Sequence, residues 1–251
     1  MQYPLPAPRF ISCFAAAILL LPALVSAQPG VPGSPIHGEV VAGYYPVSDV
    51  YRYAADVNVW FDYGSHKATK FYFRGGILTL IKASPEKDFQ PDRYRGTLEP
   101  GARWVHGDHE CDFFIKHHSY HDIDRFDGIN ESYEVYGLRY TKATTWNPTI
   151  AAGKYCNTQD LDYDWDFFAS VDNGCIGVCN RKPLYAAASL HLVTEKGDVP
   201  GRKDFLDYSA EVGIETHAQV RYFVSYRQVH DIDRYAGTTD HGLLAGVRYT
   251  W

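Results

Sequence analysis

From residue 39 to the last residue, apolar and polar positions alternate with a period of two, and no stretch of useful length carries the period of a helix. The clearest run sets Tyr53, Ala55, Val57, Val59, Phe61 and Tyr63 on one face. Ala54, Asp56, Asn58, Trp60 and Asp62 lie on the other. Successive side chains of a strand point to opposite faces, so this run predicts a strand with one apolar and one polar side. Aromatics close both ends of the apolar row, where a strand crossing a bilayer meets the two interfaces. Further alternating runs lie at 39–46, 69–82, 94–106, 112–120, 131–142, 148–155, 163–171, 184–195, 206–214, 218–228 and 240–251. Together they predict an all-β protein of twelve antiparallel strands, or ten if the runs at 148–155 and 163–171 are misassigned.

The last run sets Leu243, Ala245, Val247, Tyr249 and Trp251 on one row, with Gly242, Leu244, Gly246, Arg248 and Thr250 on the other. A terminal strand has no partner beyond it in sequence, and closing the sheet into a barrel supplies one. The connectors alternate in length. Gly64–Lys67, Gly107–Glu110, Trp146–Pro148 and Glu215–Thr216 are short, whereas 83–93, 121–130, 196–205 and 229–239 are longer and charged. Short turns at one rim and long loops at the other are the asymmetry of a transmembrane barrel. Residues 171–183 break the rule, being long where a short turn is expected.

The first 27 residues read as a secretory signal: one charge at Arg9, an apolar stretch over 10–25, and the small-residue site Val25-Ser26-Ala27. Residues 28–251 then form a single barrel domain. Cys13 lies too early for a lipoprotein cleavage site. Cys111, Cys156, Cys175 and Cys179 remain, and an even number in an exported chain predicts disulfides rather than a zinc site. Three pairings are open, and the strand assignment puts Cys156 at the opposite rim from the 175–179 pair. The formal charge of −6 leaves no electrostatic footprint for nucleic acid. Asp56, Asn58, Asp62, Arg74, Glu134 and Arg139 are expected inside the barrel, where facing charges plug more readily than they open.

Residues 113–141 repeat as 222–250 without a gap. His121-Asp122-Ile123-Asp124-Arg125 recurs as His230-Asp231-Ile232-Asp233-Arg234, and each copy reads as strand, loop and returning strand. The repeat serves as a control. The outward row Tyr222, Val224, Tyr226, Gln228 of the second copy becomes Phe113, Ile115, His117, Ser119 in the first. An imidazole and a hydroxyl at i and i+2 share a face, so His117 can serve as base to Ser119. Such a base needs a third group to hold its tautomer. Glu131, which opens the next strand, is the candidate, with Asn130 as a weaker one. The plainer explanation is a polar pair at a membrane interface. The difference between the two copies weighs against it. His118 is expected to point inward and be satisfied there.

His117, Ser119 and Glu131, with the stretch Gly128-Ile-Asn-Glu-Ser-Tyr133, resemble the His, Ser, Glu site of lipid A 3-O-deacylases. Less closely they resemble the His, Ser, Asn site of outer-membrane phospholipase A. The similarity covers 113–138. The deacylase pattern has Asn after the serine, where this chain has Tyr120. A carboxyl-terminal aromatic also resembles the assembly signal of Gram-negative outer-membrane barrels. These resemblances imply the outer membrane as location and its assembly machinery as partner. They imply a lipid ester as substrate, in lipopolysaccharide or phospholipid. No cofactor pattern is present. The pairs Asp122/Asp124 and Asp231/Asp233 would suit calcium, although turn chemistry with Arg125 and Arg234 accounts for both copies equally. The reading that follows is a serine esterase removing an acyl chain from outer-leaflet lipid. The alternative is a non-catalytic barrel, structural or a narrow channel.

Overall fold

The computed structural model describes residues 36–46, 51–66, 68–82, 90–122, 130–158, 163–179, 182–195, 205–216, 219–230 and 241–251. Twelve strands follow one another: β1 (Ile36–Tyr44), β2 (Tyr53–His66), β3 (Thr69–Lys82), β4 (Gln90–His106), β5 (His109–Asp122), β6 (Asn130–Lys142), β7 (Thr149–Thr158), β8 (Tyr163–Cys179), β9 (Lys182–Glu195), β10 (Phe205–Glu215), β11 (Val220–His230) and β12 (His241–Thr250). Each pairs antiparallel with its neighbours in sequence, and β1 pairs with β12, so the sheet closes into a barrel. The closing seam has six residue pairs, from Glu39↔Thr250 to Tyr44↔Ala245, against nine between β1 and β2. At the seam, Leu244 packs over Gly43, where a Cβ would approach its side chain to 2.5 Å.

The wall has the two faces that the alternation demands. Val57, Ile77, Leu98, Ile115, Leu138, Ile150, Leu190, Val212 and Val224 stand exposed on the outside. Exposed apolar residues on every strand face suit a hydrocarbon solvent. The inside is filled by aromatics and paired charges. Asp112, only 1% exposed, accepts from Arg103 (3.0 Å) and Arg139 (3.2 Å). Arg139 also donates to both oxygens of Glu99 at 2.9 and 2.8 Å. Lys116 of β5 reaches Asp166 of β8 at 3.4 Å, a chord across the lumen. Burying such charges is tolerable only because each is paired.

The sequence repeat extends further in space than in sequence. Arg139 stacks on Phe114 and Arg248 on Phe223, at 4.9 and 5.2 Å. Each ring lies against a glycine, Gly137 or Gly246, that has no room for a side chain. One strand further on, Tyr72 donates to Glu99 and Tyr185 to Glu211, and each acid also binds the arginine of its own half. Arg103 lies over Tyr72 and Arg221 over Tyr185. Their acidic partners exchange strands: Arg103 on β4 pairs with Asp112 on β5, whereas Glu215 on β10 pairs with Arg221 on β11. Thus β3–β6 and β9–β12 are equivalent, six strands apart on a twelve-strand ring.

Two expectations change. Residues 171–183 are not a long connector. β8 continues to Cys179 and takes up the irregularity as a register shift between Asn173 and Gly177, and two residues separate it from β9 in sequence. All five connectors at that rim are then short, which preserves the asymmetry. The disulfide expectation gains no support: Cys111 and Cys156 are both free. Cys156 lies near the long-loop end of β7, and Cys179 borders a short turn at the opposite rim, so no bridge can join them. The side chains of Cys175 and Cys179 lie outside the described set.

Candidate functional site

β4 turns into β5 through Gly107 and Asp108, with Gly107 at φ 61°, a value that glycine adopts without strain. This tight turn fixes the β5 register. Phe113 and Ile115 are exposed, whereas Asp112, Phe114 and His118 are buried, so the odd-numbered row faces outward. His117 and Ser119 continue that row toward the long-loop rim, as the sequence predicts. On β6 the outward row runs through Tyr136 and Leu138, both exposed, while Tyr133 and Val135 are buried.

The third member differs from expectation. His117 is the register partner of Glu134, and its Nδ1 lies 3.1 Å from Glu134 Oε1. Glu131 is the partner of Tyr120, one position off the His117–Ser119 row, and Asn130 pairs with His121. The acid that holds His117 is therefore Glu134, and Glu134 faces out instead of in. The cause is the filling of the lumen. Tyr133, Val135 and Tyr155 pack together inside, so at this end of β6 Tyr133 and Val135 take the inner row and the Glu134 carboxylate between them the outer one.

A carboxylate on Nδ1 sets the tautomer in which Nε2 is free to accept a proton. Ser119, two residues along on the same face, has no hydrogen bond to His117 among the described residues. Resting catalytic sites are often looser than the reacting complex. Ser119 has Gly96 as its partner on β4 and Ser132 on β6. The other Glu134 oxygen, Oε2, is buried without a hydrogen-bond partner. His118 points inward against Tyr133, with rings 4.9 Å apart, but its Nδ1 is unpartnered, so it is not the satisfied interior residue expected. Asp122 is the last residue of β5; its side chain and residues Asp124, Asp231 and Asp233 lie outside the described residues. Among the described residues no group of acids, histidines and cysteines could hold a metal.

The second copy keeps the register and lacks the chemistry. Tyr226 pairs with Leu243 and Gln228 with His241, at the positions of His117–Glu134 and Ser119–Ser132. Tyr226 donates to Gln228 there.

No protein-family model matches the chain, and no curated sequence matches it. Solved structures do. Outer membrane phospholipase A from Escherichia coli aligns over 85% of this chain and 92% of its own, at 6% identity and a TM-score of 0.57. The Salmonella typhi outer membrane phospholipase dimer with bound calcium aligns over 88% and 94%, at 6% identity and 0.57. The likeness is one of fold. The chain folds as an outer-membrane β-barrel. A membrane protein from a study of in-meso crystallization aligns over 86% and 83%, at 11% identity and 0.52.

Proposed function

We propose that this barrel is a lipid ester hydrolase of the outer membrane, with Ser119 as nucleophile, His117 as base and Glu134 as the group that orients it. The observation that carries the reading is the Glu134–His117 Nδ1 contact on the outward row that also bears Ser119. Ionisable side chains on a lipid-facing wall are costly and mark function by default. A site on that wall suits a substrate that arrives sideways in the membrane, as an acyl chain does. Short turns lie at the periplasmic rim of such barrels. The site lies toward the opposite rim, which favours outer-leaflet lipid A over phospholipid.

In the reaction, Ser119 Oγ bonds to the ester carbonyl carbon while His117 Nε2 takes the hydroxyl proton. The tetrahedral intermediate expels the alkoxide, which receives that proton from His117. Water then attacks the acyl-enzyme, again losing a proton to His117. The fatty acid leaves as Ser119 recovers its hydrogen. Glu134 stabilises the imidazolium formed at each step. The fold shared with a phospholipase that carries bound calcium keeps calcium in this reading as an activator.

The test is mass spectrometry of lipid A and phospholipids from cells expressing the wild type or Ser119→Ala. The expected outcome is loss of one acyl chain with the wild type only. Identical lipids, with both proteins folded in the membrane, would leave the His117–Ser119 pair as surface chemistry on a non-catalytic barrel.

A further inference from the structure

On the outer wall, the row through Ser119 runs across the sheet as Ser119, Gly96, Ile77 and Val57 on β5, β4, β3 and β2. A Cβ built on Gly96 would lie 2.9 Å from Ser119 Oγ and meet nothing else within 4 Å among the described residues. The serine hydroxyl is thus flanked by an opening one side chain wide. Beyond it stand Ile77, 56% exposed, and Val57, also exposed. The opposite side is polar, with Ser132 and then the hydrogen-bonded Glu134 one row away.

The other half of the barrel shows what a filled opening looks like. There the equivalent row is Gln228, Tyr208, Leu190. Tyr208 occupies the position of Gly96 and donates from its hydroxyl to Gln228. The same wall geometry therefore accommodates a large side chain at this point, and the half that carries His117 and Ser119 leaves it out.

We infer that the gap at Gly96 is the acyl-chain path of the site: the chain of the ester lies over Gly96 and runs on across Ile77 toward Val57. Gly96 and Ile77 then set which acyl chains are accepted. Across these rows the strands lie about 4.8 Å apart, so the path is a surface track long enough to seat a long saturated chain and to discriminate against one that projects elsewhere. A chain directed the other way would press on Ser132 and the Glu134 carboxylate, burying a charge against hydrocarbon.

This inference rests on the hydrolase reading, and the experiment separates the two. Full-length protein in detergent micelles is treated with two alkyl fluorophosphonates, one short-chained and one long-chained, and modification of Ser119 is followed by peptide mass spectrometry. Gly96→Tyr copies the other half; Ile77→Trp narrows the track while leaving the hydroxyl uncovered. Heat-shifted gel migration checks folding of each variant. The long-chain probe is expected to label both variants about tenfold more slowly than wild type, or slower still, while the short-chain probe labels Ile77→Trp within about threefold of wild type. Long-chain labelling of both folded variants at the wild-type rate overturns the acyl path. So does an equal loss of both probes in folded Ile77→Trp. Folded wild-type protein that takes neither probe at Ser119 overturns the hydrolase reading, and this inference with it.

Discussion

A one-residue step along a strand carries a side chain from lumen to lipid, and that step separates Glu134 from its neighbours. The tyrosine and valine on either side of it are buried, so a polar-inside rule applied to β6 puts the glutamate on the wrong face. The signal that could have found it was in the repeat. Leu243 occupies the equivalent position and belongs to the apolar row Leu243, Ala245, Val247, which faces outward. His117 and Ser119 were legible because β5 has exposed Phe113 and Ile115 in the same row and a tight turn to set its phase. Glu134→Gln is expected to lower kcat by about 100-fold or more with KM little changed, because the amide favours the wrong imidazole tautomer. Glu131→Gln should stay near the wild-type rate. Steady-state hydrolysis of a micellar ester substrate distinguishes them; equal losses at both positions would remove Glu134 from its assigned role.

The twelve strands were legible as elements because one face of each is bathed in lipid and alternation survives almost without interruption. β8 was the exception. Its stretch Asp172-Asn-Gly-Cys175 reads as a loop, yet the strand absorbs it as an irregularity and keeps pairing with β9; bulges let a strand carry turn-like residues without ending. At the seam between β1 and β12, the atoms nearest a Cβ on Gly43 would be those of the Leu244 side chain. Gly43→Ala should therefore destabilise the folded barrel by about 1–3 kcal/mol, the usual cost of overpacking. The double variant Gly43→Ala/Leu244→Ala should recover part of that loss. Urea unfolding in detergent, read by gel migration, checks the cycle. Strict additivity of the two changes would show that the contact does not couple them.

For the whole molecule, the repeated arginine–aromatic and arginine–carboxylate clusters put two charged ribs on opposite sides of the lumen, and the Lys116–Asp166 chord crosses between strands that are not neighbours. Such an interior is expected to obstruct a through-going pore. Single-channel recording in planar bilayers should therefore show little conductance for the wild type, and a higher one for Lys116→Ala/Asp166→Ala, which removes the chord. A large wild-type conductance would favour the channel reading instead. The duplication itself was only half visible in sequence. The matching clusters reach back to β3 and β9, but equivalent positions on β4–β5 and β10–β11 have traded Arg103 and Asp112 for Glu215 and Arg221, which preserves the ion pair and erases the identity.

The seam between the first and last strands has only six residue pairs, as few as the β7–β8 joint, and the reactive face stands on the fifth and sixth strands, nearly half a turn away. Fraying at the joint, from thermal motion or from insertion of a neighbouring chain, would first disturb the wall farthest from the chemistry. Partial opening should thus cost the protein its mechanical integrity before it costs its active surface. A population with frayed seams should still react at Ser119.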